Sequence, residues 1–247
     1  MLKVLSLYDY TGDALRPWAT HGYQCYAYDI QHKPNSMADP IELQHADVES
    51  FKSGGNIFFI HADLHEVDIL QTIVDHHKEC TVFLSAFPVC TDLAVSGARH
   101  FAKKRNDNPY FQDTAATHAI RCGEVGDMIG CPWFVENPVS VLSTLWRKPD
   151  YIFHPYEYGG YLAEDDTHPR WPEYIIPRDA YSKRTCLWTG GGFTMPEPRP
   201  VDCKTFGRSP QWGKLGGKSL KTKNIRSATP RGFIKAVCSQ RNGKLND

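Results

Sequence analysis

The sequence has neither a long apolar run nor a paired cysteine motif. No stretch approaches the roughly 20 apolar residues that a membrane-spanning helix needs, and the first ten residues read as a strand that meets Asp9, so we expect no membrane partner and no signal peptide. The 8 cysteines are scattered, without a Cys-x-x-Cys pair. This spacing argues against a zinc site and a secreted disulfide scaffold, and it predicts no metal and a reducing, cytosolic setting.

Acidic residues are missing from a long segment near the C-terminus, although the formal net charge of the chain is zero. Between Cys203 and Lys244 there are 11 Lys and Arg and no Asp or Glu, which leaves 17 basic and 28 acidic residues elsewhere. A basic stretch of this length is either a solvated face or a surface for a polyanion, and it favours nucleic acid. The candidate phosphate contacts are Lys218, Lys221 and Lys223.

A length of 247 residues suits one sizeable domain with a smaller appendage. Strand-like and helix-like stretches alternate through the first 150 residues. The strand-like runs lie at 3–8, 24–29, 57–61, 81–86 and 133–136, and the helix-like stretches at 14–21, 64–78, 94–102 and about 114–129. This alternation predicts an α/β domain at 1–150 with a mostly parallel sheet flanked by helices.

After about residue 147 the chain becomes rich in Pro, Gly, Tyr and Trp, which predicts a small irregular lobe at 151–224. One strand signal lies inside it, at 185–188, and we expect this strand to rejoin the first sheet. Residues 232–237 follow a Thr-Pro pair and predict a terminal helix.

Cys90 differs from the other cysteines in its setting. An apolar run at 80–87 reads as a buried strand that Pro88 stops, so Cys90 should lie in a loop at the carboxyl end of that strand. Ligands bind at this edge of open α/β sheets. A cysteine is otherwise most often a small core hydrophobe. A carboxyl group follows later in the chain, at Glu136 in the tripeptide 136–138. Together the two residues predict a thiolate nucleophile, Cys90, and a carboxyl proton donor, Glu136.

The first half of the chain also has the parts of a nucleotide site. In such domains the first strand ends in a loop that approaches the ligand closely, and acids after the next strands bind its hydroxyl and amino groups. Here Gly12 lies in the first loop, Asp29 ends the second strand, and Asp63 follows the third. Acids at strand ends are also ordinary helix caps, but their ordered occurrence favours a cofactor site.

In this order, these residues resemble the cytosine-C5 DNA methyltransferases, especially the compact forms carried by bacteriophages and prophages. The resemblance covers nearly the whole chain and is most specific at 87–99, with its run Cys-Thr-Asp-Leu-Ala-Val-Ser-Gly-Ala, and at 133–150, with Glu-Asn-Pro. It implies a Rossmann-like domain that binds S-adenosyl-L-methionine and a duplex DNA substrate. It also implies a monomer in the cytoplasm of a bacterial host. The implied biological role is protection of a viral genome or modification of DNA as half of a restriction pair.

The resemblance implies a role for each matched residue. Cys90 would be the nucleophile, and Glu136 would bind N3 and the exocyclic amine of the target cytosine. Asp29 would meet the ribose and Asp63 the adenine amino group of the cofactor. The remaining cofactor-binding residues would be Tyr10, Thr11, Gly12, Ile30, Leu64 and Pro88.

Basic residues outside the first domain have implied roles too. Lys183 and Arg184 resemble the motif that grips the base and its phosphate, with Arg184 among the catalytic residues. Asn137 and Arg99 are expected beside the substrate. Residues 225–230 resemble the family's last motif, so 225–247 should pack back on the catalytic domain.

The chain departs from the family pattern at two points. Val89 precedes the cysteine where the family has a second proline, and the first loop keeps only Gly12, with Tyr8 at the expected position of an acid. Other interpretations stay open: an RNA cytosine methyltransferase, an enzyme that adds another group at carbon 5, or a catalytically silent DNA-binding accessory protein.

Overall fold

The structure is a computed structural model that describes residues 1–33, 47–204, 215 and 219–246. Its strands are β1 (Lys3–Leu7), β2 (Gln24–Asp29), β3 (Asp47–Ser50), β4 (Asn56–His61), β5 (Thr81–Ala86), β6 (Trp133–Pro138), β7 (Tyr151–Phe153) and β8 (Thr185–Gly190). Its α-helices are α1 (Arg16–Ala19), α2 (Val67–His77), α3 (Phe101–Asp107), α4 (Phe111–Ile129), α5 (Leu142–Leu145), α6 (Leu220–Arg226) and α7 (Arg231–Asn246). Shorter 3₁₀ helices span Val95–His100, Pro155–Tyr161 and Pro177–Asp179.

The strands form one sheet in the order β3-β4-β2-β1-β5-β6-β8-β7. β1 pairs in parallel with both β2 and β5, β2 with β4, and β5 with β6, whereas β3 runs antiparallel to β4. The predicted α/β class is therefore confirmed. The mixed, mostly parallel eight-stranded sheet is compatible with a Rossmann-like fold.

The central strands are buried because helices cover a sheet built from apolar runs. Val4, Leu5 and Leu7 of β1 are fully excluded from solvent, as expected for parallel strands covered on both faces. On one side, Trp18 of α1 stacks on Phe83 of β5 with a centroid separation of 5.2 Å. The other side holds the main apolar cluster, to which α2 contributes Leu70, Ile73 and Val74 and α4 contributes Ala116, Ala119, Cys122 and Val125.

Local pattern and structure differ where tertiary contacts decide the conformation. β3 has the sequence Asp-Val-Glu-Ser, which lacks the alternation of apolar residues typical of a half-buried strand, and it is mostly exposed. It is a strand because it pairs with β4. The single helix expected at 94–102 is instead the 3₁₀ helix Val95–His100 followed by the start of α3. The strand expected at 185–188 extends to Gly190 and lies between β6 and β7 in the sheet.

By their contacts, the described residues divide into two compact units. The first consists of 1–151 and 186–193, and the second of 152–185 and the described part of 194–247. Residues 225–246, expected beside the catalytic domain, belong by contact to the second unit. There, Phe233 of α7 stacks on Phe153 with a centroid separation of 4.3 Å. No described helix has the length and apolar character needed to cross a bilayer.

Candidate active site

The loops after β1 and β5 leave the sheet at its topological switch point. From β1, the chain builds β2 and β4 on one side and later β5 and β6 on the other. Loops that follow two such neighbouring parallel strands diverge and leave a crevice outside their carboxyl ends. Phe87 N donates to Leu7 O at 3.0 Å, so the pairing of the two strands continues to the point where both loops begin.

The loop after β1 is organised around the buried carboxylate of Asp9. Its Oδ1 accepts hydrogen bonds from Gly12 N at 2.8 Å and Thr11 Oγ1 at 3.2 Å, and its Oδ2 accepts one from Ser6 Oγ at 2.9 Å. Burial, followed by the nearby Asp13 charge, raises the pKa of Asp9, while these hydrogen bonds oppose the rise. Asp9, the residue after Tyr8, is therefore the acid that shapes this loop.

Gly12 is held where a larger residue does not fit. Its φ is +68°, a conformation that L side chains rarely adopt, and an added Cβ would lie 2.7 Å from the ring of Phe59. Tyr10, beside it, stacks on His32 with a centroid separation of 5.9 Å. Gly12 itself is buried, and the accessible side chain beside it is that of Tyr10, which is 38% exposed.

Asp29 ends β2 and is almost wholly buried. Its Oδ1 accepts a hydrogen bond from Gln31 N at 2.7 Å. Burial raises the pKa of this carboxyl, and the hydrogen bond and the neighbouring His32 counteract the rise. The side chain of Ile30, next in sequence, is 57% exposed.

His32 connects two of these segments, although no sequence pattern indicated this residue. Its Nδ1 lies 3.0 Å from Ile60 O and its Nε2 lies 3.2 Å from Tyr10 O. The buried ring therefore links the glycine loop to β4.

Asp63 follows β4 and turns the chain toward α2. Its Oδ1 accepts a hydrogen bond from His65 N at 3.0 Å, and its side chain is 42% exposed, so it remains accessible to a ligand. The side chain of Leu64 lies in the apolar core, which leaves only its backbone for a ligand. Leu64 O in turn accepts a hydrogen bond from Tyr8 Oη at 3.3 Å.

Two histidines that the sequence analysis missed stack beside Asp63. The rings of His65 and His118 lie 3.9 Å apart and are inclined by 19°. Burial, followed by the neighbouring His65, lowers the pKa of His118. His118 comes from α4, distant in sequence, so no local pattern could have indicated the pair.

Cys90 begins a helical turn directly after the buried Pro88. Its carbonyl oxygen accepts hydrogen bonds from Leu93 N at 3.0 Å and Ala94 N at 2.8 Å. The cysteine is half-buried, and the preceding Val89 is 56% exposed. The nucleophile candidate therefore lies beyond the carboxyl end of β5, where its sequence setting predicts it, and it is partly open to solvent.

Glu136 lies at the corresponding end of the neighbouring strand. In β6 it follows Val135, which is paired with Ala86, the last residue of β5. Glu136 is half-buried, and its Oε1 atom is fully buried. Because paired parallel strands end at the same edge of a sheet, the segments that carry Cys90 and Glu136 leave the sheet side by side.

Asn137 joins these two segments. Its Nδ2 donates a hydrogen bond to Pro88 O at 3.2 Å, and the side chain is wholly buried. Further along, Ala94 and Ser140 form an antiparallel bridge, flanked by hydrogen bonds from Val95 N to Val139 O and from Val141 N to Leu93 O. The turn at Cys90 is thereby held against the segment that follows Glu136.

The remaining candidates lie on the 3₁₀ helix after Cys90 or in the second unit. Arg99 is exposed on the 3₁₀ helix Val95–His100, within the first unit. In the second unit, Lys183 is half-buried and Arg184 is exposed, and Lys221 and Lys223 are exposed on α6. Lys218 lies outside the described residues.

Within the described ranges, no three His, Cys, Asp or Glu side chains form a group that could hold a metal ion.

No protein-family model matches the chain, and no curated protein is significantly similar to it.

Proposed function

We propose that the protein is a DNA cytosine-C5 methyltransferase, which transfers a methyl group from S-adenosyl-L-methionine to a flipped-out cytosine through a covalent adduct with Cys90. The hydrogen bond from Asn137 to Pro88 O carries this proposal. It joins the segment that holds a half-buried cysteine to the segment that holds a half-buried carboxyl, at the sheet edge where α/β enzymes bind ligands.

The residues suit the chemistry of an unreactive carbon. Carbon 5 of cytosine is a poor nucleophile, and addition of the Cys90 thiolate at carbon 6 moves an electron pair toward it. Glu136 protonates or hydrogen-bonds N3 and so stabilises the enamine that forms. After carbon 5 has been methylated, it loses its proton to a base, and the returning electron pair restores the ring double bond and expels the thiolate.

The glycine loop, Asp29 and Asp63 would hold the cofactor in the first unit. S-adenosyl-L-methionine, when bound, supplies an electrophilic methyl group. Gly12 lies in the loop after β1, and the two carboxylates lie at the carboxyl ends of the paired strands β2 and β4. These features fit a ligand that has hydroxyl groups and an amino group.

The target base must leave the duplex, because stacking covers carbon 6. Flipping costs a few kcal/mol, and cationic contacts to phosphates help to offset this cost. The cations between Cys203 and Lys244, among them the exposed Lys221 and Lys223, supply such contacts. We expect duplex affinity to fall steeply with salt, as it does for proteins that neutralise phosphates.

Covalent trapping tests the proposal directly. The protein is incubated with S-adenosyl-L-methionine and duplex DNA that contains 5-fluorocytosine, and a denaturation-resistant adduct is sought on a gel. Fluorine cannot leave as the proton does, so the enzyme should stall on its base. Cys90→Ala should form no adduct, whereas substitution of a buried cysteine elsewhere, Cys25→Ala, should leave adduct formation intact.

The same assay separates the alternatives. An adduct on RNA containing 5-fluorocytosine, with none on DNA of varied sequence, would contradict the DNA assignment in favour of RNA. Absence of any adduct, with DNA binding retained, would indicate an accessory protein. Mass spectrometry of the product base would reveal a group other than methyl.

A further inference from the structure

The segment that follows Cys90 carries an exposed cluster of cations. Arg99, Lys103 and Arg105 are all exposed, the first on the 3₁₀ helix and the other two on α3. Among the described residues none of the three forms a salt bridge with a carboxylate. Arg99 donates instead to His100 Nε2 at 3.1 Å, and Arg105 to Gln112 Oε1 at 3.1 Å. Their charge is therefore available to an anionic partner.

A fourth cation connects this cluster to the turn at Cys90. Lys104 forms an ion pair with Asp92, and its Nζ lies 3.4 Å from Thr91 O. Gln112 Nε2 donates to Asp92 O at 3.4 Å, so α4 contacts the same short segment. Lys104 thus attaches α3 to the two residues that directly follow the nucleophile candidate, within the first unit.

We propose that Arg99, Lys103 and Arg105 form a surface that binds the DNA phosphates next to the flipped cytosine. This inference rests on the proposed function, and it adds a phosphate-binding surface in the first unit to the cationic C-terminal stretch. Guanidinium and ammonium groups complement phosphate charge without reading sequence. Because Lys104 attaches α3 to residues 91 and 92, the DNA backbone that these cations bind would lie close to Cys90.

Salt dependence of duplex binding measures this surface. Each phosphate contact contributes about 0.9 to the slope of log affinity against log salt, so Arg99→Gln/Lys103→Gln/Arg105→Gln should reduce the slope by about 2 to 3. Fluorescence anisotropy with a labelled 20-base-pair duplex, between 50 and 300 mM KCl, gives the slope. A charge-conserving triple, Arg99→Lys/Lys103→Arg/Arg105→Lys, should keep most of it.

A matched control removes cations from the opposite edge of the sheet. Lys52 and Lys78 are exposed and precede β4 and β5, whereas Cys90 follows β5. The strand between these edges is six residues long, or about 20 Å at the usual rise per residue. Lys52→Gln/Lys78→Gln should therefore leave the slope close to that of the unmodified protein.

The outcomes distinguish this inference from the proposed function. An unchanged slope in the Gln triple, with normal binding by the unmodified protein, would overturn the surface and leave the enzyme assignment intact. If the slope falls as expected but 5-fluorocytosine traps no adduct, the surface stands and the catalytic proposal fails. If the unmodified protein binds no duplex, both fail.

Discussion

At the scale of single residues, the candidate cofactor loop depends on an acid and a glycine three positions apart. Asp9 accepts the Gly12 N–H and two hydroxyl groups, and this arrangement closes the loop over a buried carboxylate. The close approach of Phe59 to Gly12 leaves no space for a Cβ. The conformation of the loop therefore depends on the hydrogen bonds of Asp9 and on the absence of a side chain at Gly12. Both are properties of individual residues.

Gly12→Ala should destabilise the protein and impair cofactor binding. The left-handed conformation alone costs an alanine about 1–2 kcal/mol, and contact with the Phe59 ring adds to this cost. Gly12→Ala/Phe59→Ala should relieve the contact but keep the backbone strain. Denaturant unfolding and calorimetric binding of S-adenosyl-L-methionine would measure both effects, and wild-type values for Gly12→Ala would contradict the structural reading of this loop.

Glu136→Gln should separate cofactor binding from chemistry. The amide cannot donate a proton to N3, so we expect turnover to fall by orders of magnitude, since general acid catalysis typically contributes about 10²–10⁴-fold. Binding of S-adenosyl-L-methionine should be retained, because Glu136 is not one of the candidate cofactor-binding residues, which include those of the glycine loop and the acids at the ends of β2 and β4. Turnover is measured with tritiated cofactor on duplex DNA, and a near-normal rate would remove Glu136 from the mechanism.

At the scale of elements, the site depends on how two loops are joined. β5 and β6 end side by side, and the Asn137 hydrogen bond and the Ala94–Ser140 bridge continue their contact beyond the sheet. Asn137 is separated from Pro88 by 49 residues in sequence. We regard it as a positioning residue, because its amide contacts the backbone of the cysteine loop.

Asn137→Ala should lower kcat more than it changes cofactor affinity. Loss of the amide leaves Pro88 O without its buried donor, at a cost of about 1–3 kcal/mol, and loosens the loop that orients Cys90. Asn137→Gln, which keeps an amide but lengthens the side chain, serves as the comparison. A kcat that is unchanged in Asn137→Ala, in single-turnover assays at saturating cofactor, would show that the hydrogen bond has no positioning role.

At the scale of the molecule, charge is distributed unevenly along the chain. The acid-free stretch between Cys203 and Lys244 concentrates positive charge at one end of the chain.

In the second unit, Asp179 is buried and accepts a hydrogen bond from Gly232 N at 2.8 Å at the start of α7. Burial is the main cause that raises the pKa of Asp179 to about 6, so this carboxylate links the stability of the second unit to pH.

Asp179→Asn should change the pH dependence of stability. Because the pKa of Asp179 is raised on folding, its contribution is fully present below its ordinary value, near 3.8, and is lost as pH rises through about 6. The loss approaches about 3 kcal/mol at pH 7. The asparagine keeps an acceptor for Gly232 N and tolerates the φ of +49°. We expect the variant's stability relative to the wild-type protein to increase between pH 4 and pH 7.

Denaturant unfolding at several pH values gives this difference, and other titrating groups cancel between the two proteins. A difference that does not vary with pH would contradict the inferred burial of a charged carboxylate. Asp165→Asn, at an exposed position on the same unit, is the matched control and should leave the pH profile unchanged.

Much of the fold was predictable because its signals are local. Apolar runs located the five central strands to within two residues, and the helical spacing of apolar residues indicated α2 and α4. β3 was not predictable, because its polar residues form a strand only through pairing with β4. The setting of Cys90 after a buried strand also predicted its place at the carboxyl edge of the sheet.

The sequence by itself determined the α/β class, the strand ends that carry Cys90, Glu136, Asp29 and Asp63, and the uneven charge. These features follow from periodicity, residue type and chain order. Only the tertiary structure decided that Asp9 organises the glycine loop, that His65 stacks on His118 and that Asn137 joins two loops. The two loops and the two histidines meet through packing between segments about 50 residues apart, which no local pattern encodes, and the role of Asp9 depends on hydrogen-bond geometry that residue type alone does not specify.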